Sequence, residues 1–257
     1  MKIISVVSAK GGVGKTTVTA TLAHALARQG ARVLVLDLDP QNALGLHFGI
    51  HPNEQRGLSR ATLAQQTLRS AVMESSSGAF IVPYGIVNED DRGRFERHVE
   101  TRPDWLLGHL NSLGLPQDTL VLLDTPPGPS VYMKQALHAA NLVTVVTLSD
   151  AASYATIPMM QRLVQTYCLN RPNFIDCFYI VNQVDTSLQL SKDVTHLMQE
   201  TFGDRVIGIV HRDQSVCEAL AHDKSVMDYE PDSQASNDMR ATAERINQRL
   251  QAQALVA

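Results

Sequence analysis

One octet constrains this chain more than any other feature: residues 10–17 read KGGVGKTT. An apolar, β-branched run precedes the octet and a helical pattern follows it, which is the context of a phosphate-binding P-loop. Seven specified residues match by chance on the order of 10⁻⁹ per starting position. Glycines let the backbone turn tightly and direct its N–H groups at phosphate oxygens, and the helix start adds partial positive charge. The octet therefore predicts a nucleotide-binding loop made of Gly11, Gly12, Val13, Gly14, Lys15, Thr16 and Thr17.

Short β-branched runs alternate with helical patterns along the chain. The predicted strands are Ile3–Ser8, Arg32–Asp37, Ala79–Pro83, Leu120–Asp124, Leu142–Leu148, Phe178–Asn182 and Val206–Val210. Several are apolar nearly throughout, which is typical of strands covered on both faces. Thr16–Gln29 predicts a helix that ends at Gly30. We therefore expect an α/β fold, a doubly wound and mostly parallel sheet with helices on both faces.

Residues 52–118 carry the weakest structural signal. They are polar, include the SSSG segment at 75–78, and contain a mixed-charge run from Glu89 to Arg102 with four arginines and five acidic residues. We predict a solvated face or loop for that run. There is no internal repeat or separating linker, and 257 residues suit one α/β domain, so we expect a single domain over 1–257.

Acidic residues follow two of the predicted strands. Asp37 and Asp39 end the second strand in LDLDPQN, and Asp124 ends a later strand in VLLDTPPG. The carboxyl ends of parallel strands are where ligands bind in such folds. Carboxylates beside a triphosphate would be repelled unless a cation or water lay between them, which favours metal and water roles. A turn or cap role is the alternative that Asp39-Pro40 alone would suggest.

The octet with its early lysine resembles the deviant Walker-A loop of the ParA/MinD family of P-loop ATPases. That resemblance implies ATP and Mg²⁺ as cofactors, with Lys15 on the β- and γ-phosphates. It implies that Lys10 reaches across a homodimer to phosphates held by the other subunit.

The same resemblance covers the acidic segments. LDLDPQ is similar to the switch I segment, which implies that Asp39 orients the attacking water and that Asp37 lies near the metal. LLDTPPG is similar to the Walker-B and switch II segment, which implies Asp124 as a metal residue beside Thr16, and Gly128 close to the γ-phosphate.

Two further segments resemble the adenine side of the family's site. Asn182 ends a strand in YIVNQVD and is similar to a base-contacting asparagine. Asp213 lies in IVHRDQSVCEA and is similar to a second base or ribose contact, although relatives usually have proline where this chain has His211. For Asp213 and Asp185, a helix cap or a strand-end turn is an equally open interpretation.

Composition limits the cellular role. Twenty-six acidic residues against 22 basic ones give a net charge of −4, which provides no global attraction to nucleic acid or anionic lipid. Three cysteines without paired spacing are typical of a reducing compartment. No stretch approaches the roughly 20 apolar residues of a membrane span. We expect a cytoplasmic protein whose membrane contact, if any, is peripheral.

Within the ParA/MinD family the chain most resembles the members encoded in bacterial cellulose-synthase operons. The similarity includes VHRDQSVCEAL at 210–220, FIVPYG at 80–85 and a helix-like segment over Arg56–Leu68. Some of those members lack the second P-loop lysine, and this chain keeps Lys15, so we expect a competent, slow ATPase. An iron–sulfur reductase component is rejected, because PPGPSVYM beyond the Walker-B loop contains no cysteine.

The expected function is an ATP-dependent dimerisation switch that recruits partners of a cellulose synthase complex, at the inner membrane or cell pole. Two alternatives stay open. A DNA-partition ATPase would bind DNA nonspecifically, which the net charge weakens. A division-site regulator would carry a membrane-targeting C-terminal helix. The tail Arg240–Ala257 has only a thin apolar stripe of Ile246, Leu250 and Leu255, so we expect a helix packed on the core.

Overall fold

The sheet of this protein has the predicted strands and one more. The computed structural model describes residues 1–51, 53–75 and 78–254, and the strands in those ranges form one sheet. Their bounds are Lys2–Val7 (β1), Val33–Asp37 (β2), Met73–Glu74 (β3), Phe80–Val82 (β4), Leu120–Asp124 (β5), Leu142–Leu148 (β6), Asp176–Val184 (β7) and Val206–His211 (β8). The two-residue β3 was not predicted, since it is too short to show a period-2 pattern.

The strand order is β3-β4-β2-β5-β1-β6-β7-β8. Every neighbouring pair is parallel except β3–β4, which is antiparallel. The order in which successive strands are added to the sheet reverses at β1, which pairs with β5 on one side and with β6 on the other. This is the doubly wound, mostly parallel sheet predicted from the sequence, and the reversal point is where such folds place their ligands.

Helices cover both faces of the sheet. They are Lys15–Arg28 (α1), Leu58–Leu63 (α2), Glu89–Glu100 (α3), Trp105–Ser112 (α4), Val131–Ala139 (α5), Ala151–Tyr154 (α6), Ile157–Tyr167 (α7), Gln189–Phe202 (α8), Gln214–Ala221 (α9), Val226–Tyr229 (α10) and Gln234–Ala254 (α11). Short 3₁₀ turns occupy Leu44–Phe48, Leu68–Ala71 and Gly203–Arg205.

The side chains of alternate strand residues point to opposite faces of the sheet and belong to different hydrophobic cores. Ile4 and Val6 pack with α1, α9 and α11 on one face, while Ile3 and Val7 pack with the helices of the other face. Each fully buried aliphatic side chain of this kind contributes about 1.5–3 kcal/mol by leaving water. Because both faces are buried, the strands lack the polar alternation of a half-exposed sheet.

The mixed-charge run forms the solvated face of a helix, which is the first of the two predicted alternatives. Residues 89–100 are not a loop but the helix α3, whose N-terminal residue Asn88 accepts a hydrogen bond from Asp91 N at 2.8 Å. Its charged side chains face solvent, whereas Phe95 and Val99 are fully buried. The helix-like segment predicted over Arg56–Leu68 is helical only from Leu58 to Leu63.

The predicted C-terminal helix is present as α11, and it packs on α1 and β8. Ala243, Ile246 and Leu250 are buried, as expected for a helix on the core. Leu255 of the predicted stripe lies outside the described residues, as do Ser76 and Ser77 of the SSSG segment. Across the described ranges, no helix combines the length and apolar character required to cross a bilayer.

Candidate functional site

The octet forms a loop between β1 and α1. Gly12 and Gly14 have φ of 74° and 82°, in the left-handed region that favours glycine. Gly14 is the N-cap of α1 and provides no side-chain hydrogen bond to the helix, whose first turn contains no acidic residue. The first N–H groups of α1 therefore keep the capacity to bind an anion, as expected for a phosphate site.

The two lysines of the octet have different environments. Lys15 is 6% exposed, and its pKa is lowered by burial, against the opposing effect of the Asp124 and Asp39 carboxylates. The side chain of Lys10 is 36% exposed, with its Nζ 3.2 Å from Ser153 Oγ and 3.6 Å from Asp150 Oδ1. One lysine is thus enclosed within its own site, while the other lies at the surface in a loose ion pair.

Asp37 and Asp124 lie side by side at the carboxyl ends of β2 and β5, where they are register partners. Both are fully buried. Asp37 accepts hydrogen bonds from Asp39 N at 2.9 Å and from Leu44 N at 3.1 Å. Burial, followed by the charge of Asp124, raises the pKa of Asp37 well above its usual value.

The two carboxylate oxygens of Asp124 have different surroundings. Its Oδ1 lies 3.3 Å from the Thr19 hydroxyl, whereas its Oδ2 is buried without a hydrogen-bond partner among the described residues. Burial raises the pKa of Asp124 to about 6, although the nearby Thr16 hydroxyl and the charge of Lys15 act in the opposite direction. A buried carboxylate oxygen without a partner beside a threonine hydroxyl is a donor set of the hard oxygen type that Mg²⁺ takes.

This donor set suits a magnesium ion that is completed by a phosphate ligand. No group of three or more His, Cys, Asp and Glu side chains gathers around a common point in the described ranges. Mg²⁺ sites in nucleotide-binding proteins need only one or two carboxylates, because phosphate oxygens and water supply the rest. Thr16, Asp124 and the neighbouring Asp37 therefore fit the predicted metal.

Asp39 begins the loop that follows β2. It is 9% exposed, and its Oδ1 accepts a hydrogen bond from Gln41 N at 2.9 Å. Asn42 N donates to the Asp39 carbonyl at 2.9 Å, and the Asn42 side chain accepts from Gly85 N at 3.1 Å. The predicted water-orienting carboxylate is thus held by its own turn, which is tied to the loop after β4.

The loop after β5 lies against the P-loop. Gly128 has φ of 73°, and its N–H donates to Ser8 O at 3.0 Å. A Cβ at Gly11 would lie 3.7 Å from the Pro127 ring, which is ordinary contact. The structure therefore places Gly128 against the residues that precede the octet, and its closeness to a γ-phosphate stays a prediction.

A cavity of about 600 Å³ opens beside the octet on the side of β7 and β8. Asn182 and Asp213 both line it, with Gly14, Thr17 and Cys217. Asn182 Nδ2 donates to Val13 O at 2.8 Å, so its Oδ1 is the atom left for a ligand. Asp213 accepts from Ser215 N at 3.0 Å as the cap of α9 and from Ala235 N at 3.1 Å, so its carboxylate has a structural role in the wall.

The remaining predicted position lies apart from this cavity. Asp185 follows β7 and is not among the residues that line it. Its Oδ1 accepts from Ser187 N at 2.9 Å in a turn. The structure therefore agrees with the interpretation of Asp185 as a residue of a strand-end turn.

Sequence reasoning missed Thr19, Gln183 and the Lys10 partners Asp150 and Ser153. Thr19 follows Lys15 by four residues, and that helical spacing was the available signal for its contact with Asp124. Gln183 adopts φ of 55° and lines the cavity. The contact between Lys10 and Asp150 spans 140 residues, and nothing local in the sequence reveals it.

Comparison with known proteins decides the family. The family model described as "Cellulose biosynthesis protein BcsQ" matches residues 1–246. The chain belongs to the BcsQ family. A BcsQ relative from Salmonella typhimurium is 25% identical over 248 residues, which cover 95% of this chain and 93% of the relative.

Other relatives of the BcsQ-family chain are partition and division proteins. The "Chromosome-partitioning ATPase Soj" of Thermus thermophilus is 28% identical over 250 residues, which cover 96% of each chain. Among solved structures, "the septum site-determining protein MinD complexed with Mg-ADP" from Pyrococcus horikoshii superposes with a TM-score of 0.78 at 23% identity, over 95% of each chain. These matches confirm the ParA/MinD resemblance and the P-loop fold predicted from the sequence.

Proposed function

We propose that this BcsQ-family chain is a Mg²⁺-dependent ATPase that works as a dimerisation switch, monomeric without ATP and a homodimer with it. We propose also that residues 1–257 form one ATPase domain, which the single sheet and the docking of α11 on it support. Family membership and the octet support ATP binding. The switch is the step that goes beyond them.

One observation carries the proposal: the two lysines of one loop are placed differently. Lys15 is buried and is influenced by the charges of Asp124 and Asp39, which suits a lysine that serves phosphates bound to its own loop. Lys10 is at the surface, held by an exposed ion pair of the kind that contributes about 0–1 kcal/mol and is easily exchanged. A surface lysine beside a P-loop suits a phosphate group presented by a second subunit.

Each site residue has a role in this proposal. The backbone of Gly11, Gly12, Val13 and Gly14, with Thr17 and the start of α1, cradles the phosphates, and Lys15 neutralises their charge. Asn182 and Asp213 form the base side. Thr16, Asp124 and Asp37 hold Mg²⁺, which supplies charge neutralisation at the phosphates.

Asp39 orients the attacking water, because its carboxylate lies at the start of the loop after β2 and its Oδ1 is held by Gln41 N. Positioning and charge neutralisation supply most of the rate in phosphoryl transfer, so hydrolysis needs no covalent help from the protein. Loss of the γ-phosphate removes the group that Lys10 of the other subunit holds. Hydrolysis would therefore return the dimer to monomers.

The family points to a role in bacterial cellulose biosynthesis or secretion, in which the ATP-bound dimer recruits or positions partners of the synthase complex. We place the protein in the cytoplasm, peripheral at the inner membrane or cell pole through those partners. The buried stripe of α11 supports binding through partners rather than through its own helix. With a net charge of −4, retention of duplex DNA at ~0.15 M salt should be weak; sub-micromolar retention would favour the partition function instead.

Light scattering of the full chain tests the switch. We expect the mass of a monomer without nucleotide and with ADP, and of a dimer with ATP and Mg²⁺. A shift of a few kcal/mol between states is enough to make that change nearly complete. The same mass under all three conditions would show that the protein is not a dimerisation switch.

A further inference from the structure

A groove follows the β8 edge of the sheet. It is separate from the octet, which follows the inner strand β1. In the described chain β8 is the edge strand, with β7 as its neighbour. Helix α8 packs on one face of the sheet at this edge and α11 on the other. The outer edge of β8 is therefore the floor of a channel between two helices.

Two adjoining cavities of about 440 Å³ and about 680 Å³ make up this groove. They share Gln199 of α8, Val206 of β8 and Arg245 of α11, so they are continuous. The α11 wall runs from Asp238 to Ala252, a helical length of about 21 Å. An extended segment of about six residues would span that length.

The floor presents backbone groups to the groove. Ile207 O accepts a hydrogen bond from Arg245 Nη1 at 3.3 Å, and His211 N donates to Asp238 Oδ2 at 2.9 Å. Both partners are on α11, so these groups point away from β7. Alternate residues of a strand direct their backbone groups to the same edge, so we expect the N–H and C=O of Ile209, two residues before His211, to face the groove as well. An edge of this kind is a template for another strand.

The walls carry an unbalanced positive charge. Asp204 pairs with Arg249, and Asp238 accepts hydrogen bonds from His211 N and Gln234. Three basic side chains, those of Lys192, Arg245 and Arg249, thus line the groove with only these two carboxylates. Lys192 on α8 and Arg245 on α11 form no ion pair with any residue in the described ranges. The chain as a whole is acidic, with a net charge of −4, so this local excess contrasts with the rest of the surface.

We propose that this groove binds an extended acidic segment of a partner protein, which adds to β8 as a further strand. Main-chain hydrogen bonds to the Ile207–His211 edge would give affinity, as in other cases of strand addition. Neighbouring residues of a strand point to opposite faces, so two consecutive acidic residues would meet Lys192 on one side and Arg245 on the other. A backbone N–H of the bound segment would replace the Arg245 guanidinium as the donor to Ile207 O. The guanidinium would then be able to pair with a carboxylate of that segment.

The proposal is tested with a labelled synthetic peptide and the full chain without nucleotide, so the result is independent of ATP binding and dimerisation. The probe has about ten residues, with valine and threonine flanking a central glutamate–aspartate pair. Its matched control is the same peptide with alternate backbone nitrogens methylated, which keeps the charge and removes the donors. Fluorescence anisotropy at about 50 mM and 0.15 M salt measures binding.

We expect saturable binding of the probe and none of the methylated peptide. Lys192→Glu and Arg245→Glu should each weaken binding about ten-fold, since each reverses one charge pair. Lys134→Glu, an exposed lysine on α5, makes the same change in net charge and should have no effect. Ile209→Pro should also weaken binding, because it removes a donor that faces the groove while edge strands tolerate proline.

Three results would overturn the proposal. If the probe peptide shows no saturable binding at the lower salt concentration, the groove is not a binding site for such a segment. Equal binding of the methylated peptide, or an equal loss in Lys134→Glu, would show attraction by charge alone. Displacement of the peptide by duplex DNA at the same concentration would show a general anion surface.

Discussion

Asp37 and Asp124 are register partners on β2 and β5, so two fully buried carboxyl groups face the same end of the sheet from adjacent strands. Each is held by different contacts. Each oxygen of Asp37 accepts one backbone N–H group, whereas Asp124 keeps Oδ2 without a partner among the described residues. In the ligand-free protein this arrangement costs stability, and the cost is expected to be recovered when a cation binds.

The first prediction is that Asp124→Asn stabilises the ligand-free protein at pH 7. Because the pKa of Asp124 is raised to about 6 in the folded protein, its charged form is disfavoured by folding. The contribution of Asp124 to the free energy of unfolding then falls as the pH rises from about 4 through about 6, and the loss is complete above that range. Asparagine has no charge to bury, so the midpoint of thermal unfolding should rise, with a gain of roughly 1–3 kcal/mol.

Asp37→Asn is the matched control. Both oxygens of Asp37 accept backbone N–H groups, so an amide NH₂ would point at one of those donors. We expect this variant to unfold at a lower temperature than the wild type. If Asp124→Asn were destabilised to the same extent, the penalty assigned to the Asp124 oxygen would be wrong.

The second prediction separates the two lysines and the switch I carboxylate. Lys15→Ala should abolish nucleotide binding and leave a monomer. Lys10→Ala should retain ATP binding but lose the ATP-dependent dimer. Asp39→Ala should bind ATP and dimerise, with hydrolysis slowed by about 10²-fold, the usual loss when a positioned carboxylate is removed.

These three variants are compared by nucleotide titration, light scattering and phosphate release. Lys134→Ala on α5 is the control for loss of an exposed lysine, and it should behave as the wild type. ATP-dependent dimerisation of Lys10→Ala at the wild-type level would contradict the role of Lys10 across the interface.

The third prediction concerns the choice of nucleotide. Asn182 Nδ2 is engaged by Val13 O, so Oδ1 remains as an acceptor for a donor on the base. Adenine offers an amino group where guanine has an oxygen, so ATP should bind more tightly than GTP. Asn182→Ala should reduce that preference, whereas Asn182→Asp should weaken both nucleotides, because a carboxylate would face the Val13 carbonyl. Titration of both nucleotides, with Asp185→Ala as the control, measures this; tighter GTP binding by the wild type would contradict it.

How much the sequence predicts depends on how local each signal is. The octet, the buried strands and the acids at strand ends are local patterns, and the structure places Lys15, Asp37 and Asp124 together as they imply. The ion pair of Lys10 with Asp150 depends on tertiary packing. Helix α3 was missed because its charged residues conceal a buried stripe of only Phe95 and Val99. A two-turn apolar stripe of this kind lies near the limit of what periodicity can detect.

The fourth prediction is a second pH-dependent contribution to stability, which comes from buried histidines and has the opposite sign to that of Asp124. His47 is 9% exposed, and burial, with the charge of His24 adding to it, lowers the pKa of His47 to about 4. Burial also lowers the pKa of His24, whose Nε2 lies 3.1 Å from His47 O and whose ring stacks on Phe48. The unfolded chain binds these protons at higher pH than the folded protein. The contribution of these histidines to stability should therefore be complete above pH 6.5 and be lost as the pH is lowered toward 4.

His47→Gln tests this dependence. It should remove up to about 3 kcal/mol of the pH-dependent stability in that window, since the lowering of the pKa from 6.5 to about 4 corresponds to roughly that amount. Thermal unfolding at pH 4.5, 5.5 and 7 measures it, and His196→Gln on the exposed face of α8 is the control. An unchanged slope in His47→Gln would assign the dependence to other groups.

The last prediction distinguishes a C-terminal helix that belongs to the core from one that targets a membrane. Ile246 is fully buried against the α1 face of the sheet, with Ala243 and Leu250 in the same stripe. Replacing a buried isoleucine by alanine costs about 2–5 kcal/mol, because it removes contacts and leaves a cavity. Ile246→Ala should therefore lower the unfolding midpoint, and deletion of residues 240–257 should lower it further. Gln251→Ala, an exposed position on the same helix, should leave the unfolding midpoint unchanged.

A membrane anchor makes the opposite prediction: the deletion would leave stability unchanged and abolish binding to liposomes with an anionic headgroup. Because the stripe that a bilayer would need is already occupied by the core, we expect the wild type and the deletion to bind such liposomes equally poorly. Strong liposome binding by the wild type that the deletion removes would contradict this assignment of α11.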